Sequence, residues 1–161
     1  MTKRIDVAAL PAITGTLYPS PFDEPCRARE RKRLGDAAGL TQYGVNLVRL
    51  APGAWSSQRH WHTAQDEFIY IVSGELTLVT NAGAETLRAG DCAGFKAGDE
   101  DGHHLQNRST ADATFLEMGT RPPGDRAFYS DIDMKVSADD PPATYTHRDG
   151  TPYPKQERRG P

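Results

Sequence analysis

Cysteine is scarce in this chain: there are two in 161 residues, Cys26 and Cys92, far apart and in no C-x-x-C pair. That excludes a disulfide-stapled scaffold and a cysteine zinc site, and it fits a reducing compartment. Long apolar runs are lacking as well. No stretch approaches the length of a membrane span, and the opening MTKRIDVAALPAITG breaks its short apolar run at Asp6 and Pro11, where a secretory signal needs a continuous core. A cytoplasmic location is therefore expected, with no membrane partner. Nor does charge of one sign dominate: 19 Lys+Arg stand against 22 Asp+Glu, a formal net charge of −3. The overall field thus favours neither nucleic acid nor an anionic membrane surface. No G-x-S-x-G, H-E-x-x-H, P-loop or Rossmann fingerprint occurs, so hydrolase-triad, zincin and nucleotide-binding readings have no support.

What is present is a long series of short β-type runs. The length suits one domain with a real core and extended ends. From Tyr43 onward, segments rich in Val, Ile, Leu, Thr and Phe alternate with Gly-containing turns: YGVNLVRL, SSQRHWH, EFIYIV, ELTLVT, ETLRA, CAGFK, HHLQNRS and TFLEMGT, punctuated by APGA, SGE, NAGA, AGD and AGDEDG. These predict roughly eight antiparallel strands in about 80 residues, because no helical crossover intervenes. The expected organisation is an N-terminal arm over 1–42, a β-barrel over 43–120, and a Pro-rich extension over 121–161 that packs on the barrel or on a partner. Within the arm, CRARERKRLGDAAG reads either as a short helix or as an extended segment. In the helical reading Asp23 caps, Pro25 sits in the first turn and Gly35 ends it. Its basic run Arg27–Arg33 is interrupted by Glu30, which favours a solvated arm or an intersubunit salt-bridge surface over a phosphate or nucleic-acid patch.

The stretch RHWHTAQDEFIYIVSGE, residues 59–75, concentrates the chemistry. In a strand, residues i and i+2 share a face, so His60 and His62 present both imidazoles to one wall while Trp61 points to the other. Two nitrogen donors on one rigid strand make half of a metal site. Glu67 opens the next strand and offers an inward carboxylate. A further donor is available from GHHLQN, as His103 or His104. By alternation His103, Leu105 and Asn107 share one face, and His104 and Gln106 the other. The same parity places Ile69 and Ile71 with Glu67, making an apolar pocket floor, and turns Phe68 and Tyr70 outward.

Gly53-x6-His60-x-His62-x4-Glu67-x6-Gly74 resembles the first motif of the cupin superfamily, with one extra residue before the first histidine. Gly90-Asp91, Gly98, His103 and Asn107 resemble the second, although Lys96 stands where the family usually has Pro and two more residues precede His103. The resemblance implies an all-β double-stranded β-helix, a jelly-roll barrel, with metal ligands His60, His62, Glu67 and His103. The preserved His-x3-Asn spacing selects His103 over His104. One divalent ion, Fe, Mn, Zn or Ni, is then expected, with two positions open if it is six-coordinate.

Gln58 and Asn107 are the candidates to support the ligands by hydrogen bonds. No side chain stands out as a general base, so no catalytic residue is named. The implied function is a metalloenzyme acting on a small oxygen-bearing molecule, with dioxygenase chemistry ahead of isomerase or decarboxylase chemistry. The alternative is a non-catalytic protein that holds a sugar or organic acid in the same pocket. The family habit of pairing through a sheet, together with the two arms, predicts a homodimer.

Overall fold

In the computed structural model the described residues are 3–137, 139, 144–154 and 157–161. Pro141 and Pro142 of the expected extension lie outside them. The alternation that predicts strands is visible in burial. On the strand Glu67–Ser73, Ile69 and Ile71 are buried while Phe68, Tyr70 and Val72 are 42%, 42% and 45% exposed.

A six-stranded sheet contains, in spatial order, β1 (Ile13–Thr14), β2 (Arg29–Arg33), β3 (Tyr43–Leu50), β10 (Ala113–Thr120), β5 (Glu67–Ser73) and β8 (Cys92–Phe95). A three-stranded sheet orders β7 (Gly83–Arg88), β6 (Glu75–Thr80) and β9 (His104–Gln106). A four-stranded sheet orders β13 (Tyr145–Thr146), β12 (Lys135–Ser137), β11 (Arg126–Tyr129) and β4 (His60–His62). Every pairing among these strands is antiparallel. The fold is the expected all-β double-stranded β-helix.

The main core forms where inward residues of the six- and three-stranded sheets meet. Val48 and Leu50, Ile69 and Ile71, and Phe115 come from one side, with Leu76, Leu78 and Leu105 from the other. Burying these side chains removes their apolar surface from water, which is the main favourable term in folding. The turn from β5 to β6 is a single residue, Gly74, at φ +77°, and a Cβ there would stand 2.8 Å from the Asp112 carbonyl oxygen and 2.9 Å from Ala113 Cα. Both conformation and space therefore require glycine at this point. It brings β6 back across the barrel opposite the strand that carries Glu67.

The arms add to this frame. Tyr18 and Cys26 from the N-terminal side pack with Tyr129 and Met134 from the C-terminal side in a second cluster, where the Tyr18 and Tyr129 rings meet edge-on at 5.5 Å. The helical reading of the basic segment is corrected: Glu24–Cys26 makes one 3-10 turn, Arg29–Arg33 is strand β2, and only Leu34–Ala37 is α-helical. Asp23 precedes the 3-10 turn but makes no side-chain cap. Its carboxylate instead accepts from Arg27 Nε at 2.9 Å. Gly35 lies inside the later helix and does not end the earlier one. Pairing with β3 from Arg29↔Leu50 to Arg33↔Asn46 satisfies the backbone of β2, and that ladder outweighs the helix propensity of Arg, Glu and Lys.

Candidate metal centre

β4 is only three residues long, but its position is fixed from both sides. Its backbone pairs with β11 through His60↔Tyr129 and His62↔Ala127. On its other edge His60 and His103 exchange two backbone hydrogen bonds, 2.9 Å from the His103 N–H and 3.2 Å from the His60 N–H. The two extra residues in the loop before His103 do not disturb this register, because the loop makes its own bonds: Asp101 accepts from the Asn81 amide at 2.6 Å and Asp99 from the Asp101 amide at 3.1 Å. Trp61, as its parity predicts, leaves the site and stacks on Phe128 at 5.1 Å.

Three imidazoles therefore meet one carboxylate. Glu67 Oε2 lies 2.9 Å from His103 Nε2, 3.6 Å from His62 Nε2 and 3.8 Å from His60 Nε2. Ligand atoms of His60, His62 and Glu67 all fall within 4.8 Å of one another, a group that could hold a metal ion. His103, the fourth expected ligand, is not one of these three and instead hydrogen-bonds Glu67 through Nε2. His104 faces the opposite way, with Nδ1 donating to the Ser57 carbonyl at 2.9 Å and Nε2 paired with the Gln106 side-chain amide at 2.9 Å, so both its nitrogens are engaged elsewhere.

The outer partners set the tautomers. His62 Nδ1 donates to Asp125 Oδ2 at 2.6 Å and His60 Nδ1 to the Gln58 carbonyl at 2.9 Å, leaving the Nε2 lone pair of each ring aimed at the site. Asp125 also accepts from the amides of Ala64 and Gln65 at 2.8 and 3.1 Å. One buried carboxylate thus fixes a histidine and the loop that leads to Glu67. The ring of His103 stacks on Phe95 with centroids 3.5 Å apart, and its Nδ1 is buried without a partner.

The two support residues expected from sequence serve differently. Gln58 contributes its carbonyl while its side-chain amide donates to Phe22, and Asn107 ties the turn after β9 to Leu50 and Ala111, away from the imidazoles. Asp125 carries no sequence signal, since its partner lies 63 residues away.

Protonation follows from this environment. Burial is the largest influence on His60; the Glu67 charge opposes it, His62 and His103 reinforce it, and the pKa falls from 6.5 to about 3. Burial also lowers His104. For His62 burial is outweighed by the Asp125 hydrogen bond and the charges of Glu67, Asp125 and Glu117, and its pKa lies above the ordinary value. Glu67 is buried, which alone would raise it, yet the His103 hydrogen bond and the surrounding imidazoles hold it at about 2.

In metal-free protein the unfolded chain therefore takes up a proton at His60 that the fold does not. Stability is expected to fall as pH drops from the unfolded value of 6.5 toward about 3, and His62 offsets this only in part because its raised pKa favours the fold at lower pH. Urea unfolding of chelator-treated protein at about pH 7.5 and about pH 5 should show the lower midpoint at the acid pH, with a smaller difference in His60→Gln. Equal midpoints would contradict this assignment.

His60 and His62 open onto a cavity of about 1010 Å³ whose walls come from the barrel and both arms. Arg29, Arg31 and Arg33 line it, the first two half-buried and Arg33 exposed, so the basic run borders a cavity where a solvated arm was expected, while Glu30 pairs with Arg49 and Lys32 with the carbonyls of Val7 and Ala8. The alternation that places His60 and His62 on one wall was available here too. Glu117 on β10 also lines this cavity, with its Oε1 accepting from Asn46 Nδ2 at 2.9 Å. Lys96, the substitution in the second motif, is exposed and borders a smaller cavity that includes His62, Glu67 and His103.

Fold and site together define a jelly-roll barrel with a histidine–glutamate cluster that could hold a metal ion, and the comparisons agree on the fold. The Cupin domain family model matches residues 46–119. A solved structure described as a sugar phosphate isomerase from a cupin superfamily, from Silicibacter pomeroyi, is 46% identical. It superposes with a TM-score of 0.89 and aligns over 94% of this chain and 96% of its own. The chain belongs to the cupin superfamily. The polyketide cyclase RemF of Streptomyces resistomycificus, 19% identical with a TM-score of 0.63 over 81% of this chain and 89% of its own, shares the fold. A curated protein of Arthroderma benhamiae named "Probable oxalate decarboxylase" is 33% identical over 76 residues. That match takes in 45% of this chain but 19% of the relative, so the chain spans about a fifth of that protein's length. Among the described residues no helix is long and apolar enough to cross a membrane.

Proposed function

We propose that this protein is a metal-dependent isomerase that holds one divalent ion, Fe, Mn, Zn or Ni, on His60, His62, Glu67 and His103. Its reaction moves a proton between adjacent carbons of a small hydroxy-carbonyl compound. The observation that carries the reading is the approach of three Nε2 atoms to one Glu67 oxygen at the wall of a large polar cavity. The donor set fits an ion: two rings keep their protons on Nδ1 by hydrogen bonds to Asp125 and Gln58, and one carboxylate supplies negative charge.

A bound divalent ion supplies Lewis-acid polarisation of a carbonyl oxygen. Glu117, held by Asn46 in the same cavity, is the residue to accept a proton from the carbon beside that carbonyl and return it to the former carbonyl carbon, while the hydroxyl proton passes to the former carbonyl oxygen. The net change is an isomerisation and needs neither oxidant nor reductant. That economy, with the 46% identity to a protein described as a sugar phosphate isomerase, supports isomerase chemistry over the dioxygenase chemistry expected from the sequence.

The reading extends to a cytoplasmic homodimer paired through the exposed Phe68, Tyr70 and Val72 strip of β5. The test is deuterium exchange in D₂O with metal-loaded protein and a panel of short aldoses, ketoses and their phosphate esters. Label should enter beside the carbonyl and be lost after chelation and in Glu117→Gln. Oxygen consumption without exchange would restore the dioxygenase reading, and metal binding without either would favour the non-catalytic one.

A further inference from the structure

The cavity has a second chemical end. Arg29, Arg31 and Arg33 reach it from β2, and Arg158 reaches it from the C-terminal segment. Arginines brought together in this way repel one another. Arg158 is lowered by burial and by its neighbours Arg29 and Arg33. Arg31 is lowered first by burial and then by Arg29, Arg33 and Arg158, with Glu117 opposing. Internal compensation is sparse. Among the described residues these four guanidinium groups meet carboxylates only at Glu117, 3.8 Å from Arg31, and at Asp36, 3.5 Å from Arg33. Arg29 spends its terminal nitrogens on the carbonyls of Ser56 and Gly15, and Arg158 bonds the same Gly15 oxygen. The Nε atoms of Arg29 and Arg31 are buried with no acceptor at all. Buried donors without acceptors are costly, and charged ones more so.

From this geometry we infer that Arg29, Arg31, Arg33 and Arg158 form an oxyanion site for a phosphate monoester, the charged end of a small substrate whose carbonyl end lies toward the imidazoles. A phosphate dianion offers acceptors in several directions, which suits guanidinium groups arriving from two different elements, and Arg is the side chain that matches such geometry. The word substrate rests on the isomerase reading; the anion site does not, because it uses none of the four metal-site residues.

The experiment is calorimetric titration of inorganic phosphate into the full chain, metal-free and metal-loaded, with acetate as the carboxylate comparison. Phosphate should bind with and without metal and more tightly than acetate. Arg31→Met and Arg158→Met should each weaken it roughly tenfold or more. Arg88→Met, exposed on β7 and paired with Glu75 outside this cavity, should leave it unchanged. Arg158→Met alters an exposed terminal segment and keeps the test open if Arg31→Met does not fold.

No phosphate binding by the wild type, equal binding by both Met variants, or tighter binding of acetate would overturn the site. Binding that requires metal and disappears in His62→Ala would also overturn it, since the phosphate would then be sitting at the imidazoles. Phosphate binding by a protein that exchanges no substrate proton would leave the anion site standing and remove the isomerase reading.

Discussion

Replacing Asp125 by Asn is expected to weaken divalent-metal affinity by about 10–100-fold while leaving the barrel folded. The expected loss comes from proton placement. Asp125 accepts on both sides, from His62 through Oδ2 and from the Ala64 and Gln65 amides through Oδ1. An asparagine has one acceptor and one donor end. If its oxygen stays with the two amides, its NH₂ faces His62 Nδ1 and forces the ring proton onto Nε2, where the lone pair is needed. If it flips, the loop before Glu67 loses its acceptor. Chelator competition measures the affinity, and the ring nitrogen NMR shifts of His62 report the tautomer. Unchanged affinity would show that the Asp125 carboxylate does not set the ligand.

Phe115→Ala is expected to destabilise the protein by about 3–5 kcal/mol. Phe115, near the start of β10, is 1% exposed, paired on one side with Val48 of β3 and on the other with Ile71 of β5. It also lines a small cavity of about 30 Å³ shared with His60, Glu67 and His103, so the space left by truncation would open beneath the imidazoles. The loss should appear as a lower urea midpoint with unchanged slope, in metal-free protein so that ion binding does not mask it. A loss below about 1 kcal/mol would mean that the core refills the space by collapse.

Much of this architecture can be read from residues because one rule, alternation at period 2, does most of the selection. It separates Ile69 and Ile71 from Phe68 and Tyr70, turns His60 and His62 one way and Trp61 the other, and divides His103 from His104. Gly74 is legible for a different reason, since a one-residue reversal between strands requires φ above zero.

What escapes the sequence depends on contacts between distant segments. Asp125 has nothing in its own neighbourhood to mark it, because its role comes from β11 lying beside β4. Asn107, by contrast, stands at the motif position, where it braces its own turn and ties it to Leu50. The basic run on β2 was open to the same alternation argument, but its composition pointed to solvent, and only pairing with β3 shows that one face is covered.

The central claim is that four side chains from β4, the start of β5 and the bridge before β9 hold one divalent ion. Elemental analysis of protein purified without chelator, beside His62→Ala, tests it most directly. The account predicts close to one ion per chain in the wild type and its loss in the variant. A wild-type protein that stays metal-free after incubation with Fe, Mn, Zn and Ni salts, or a variant that retains as much as the wild type, would contradict it.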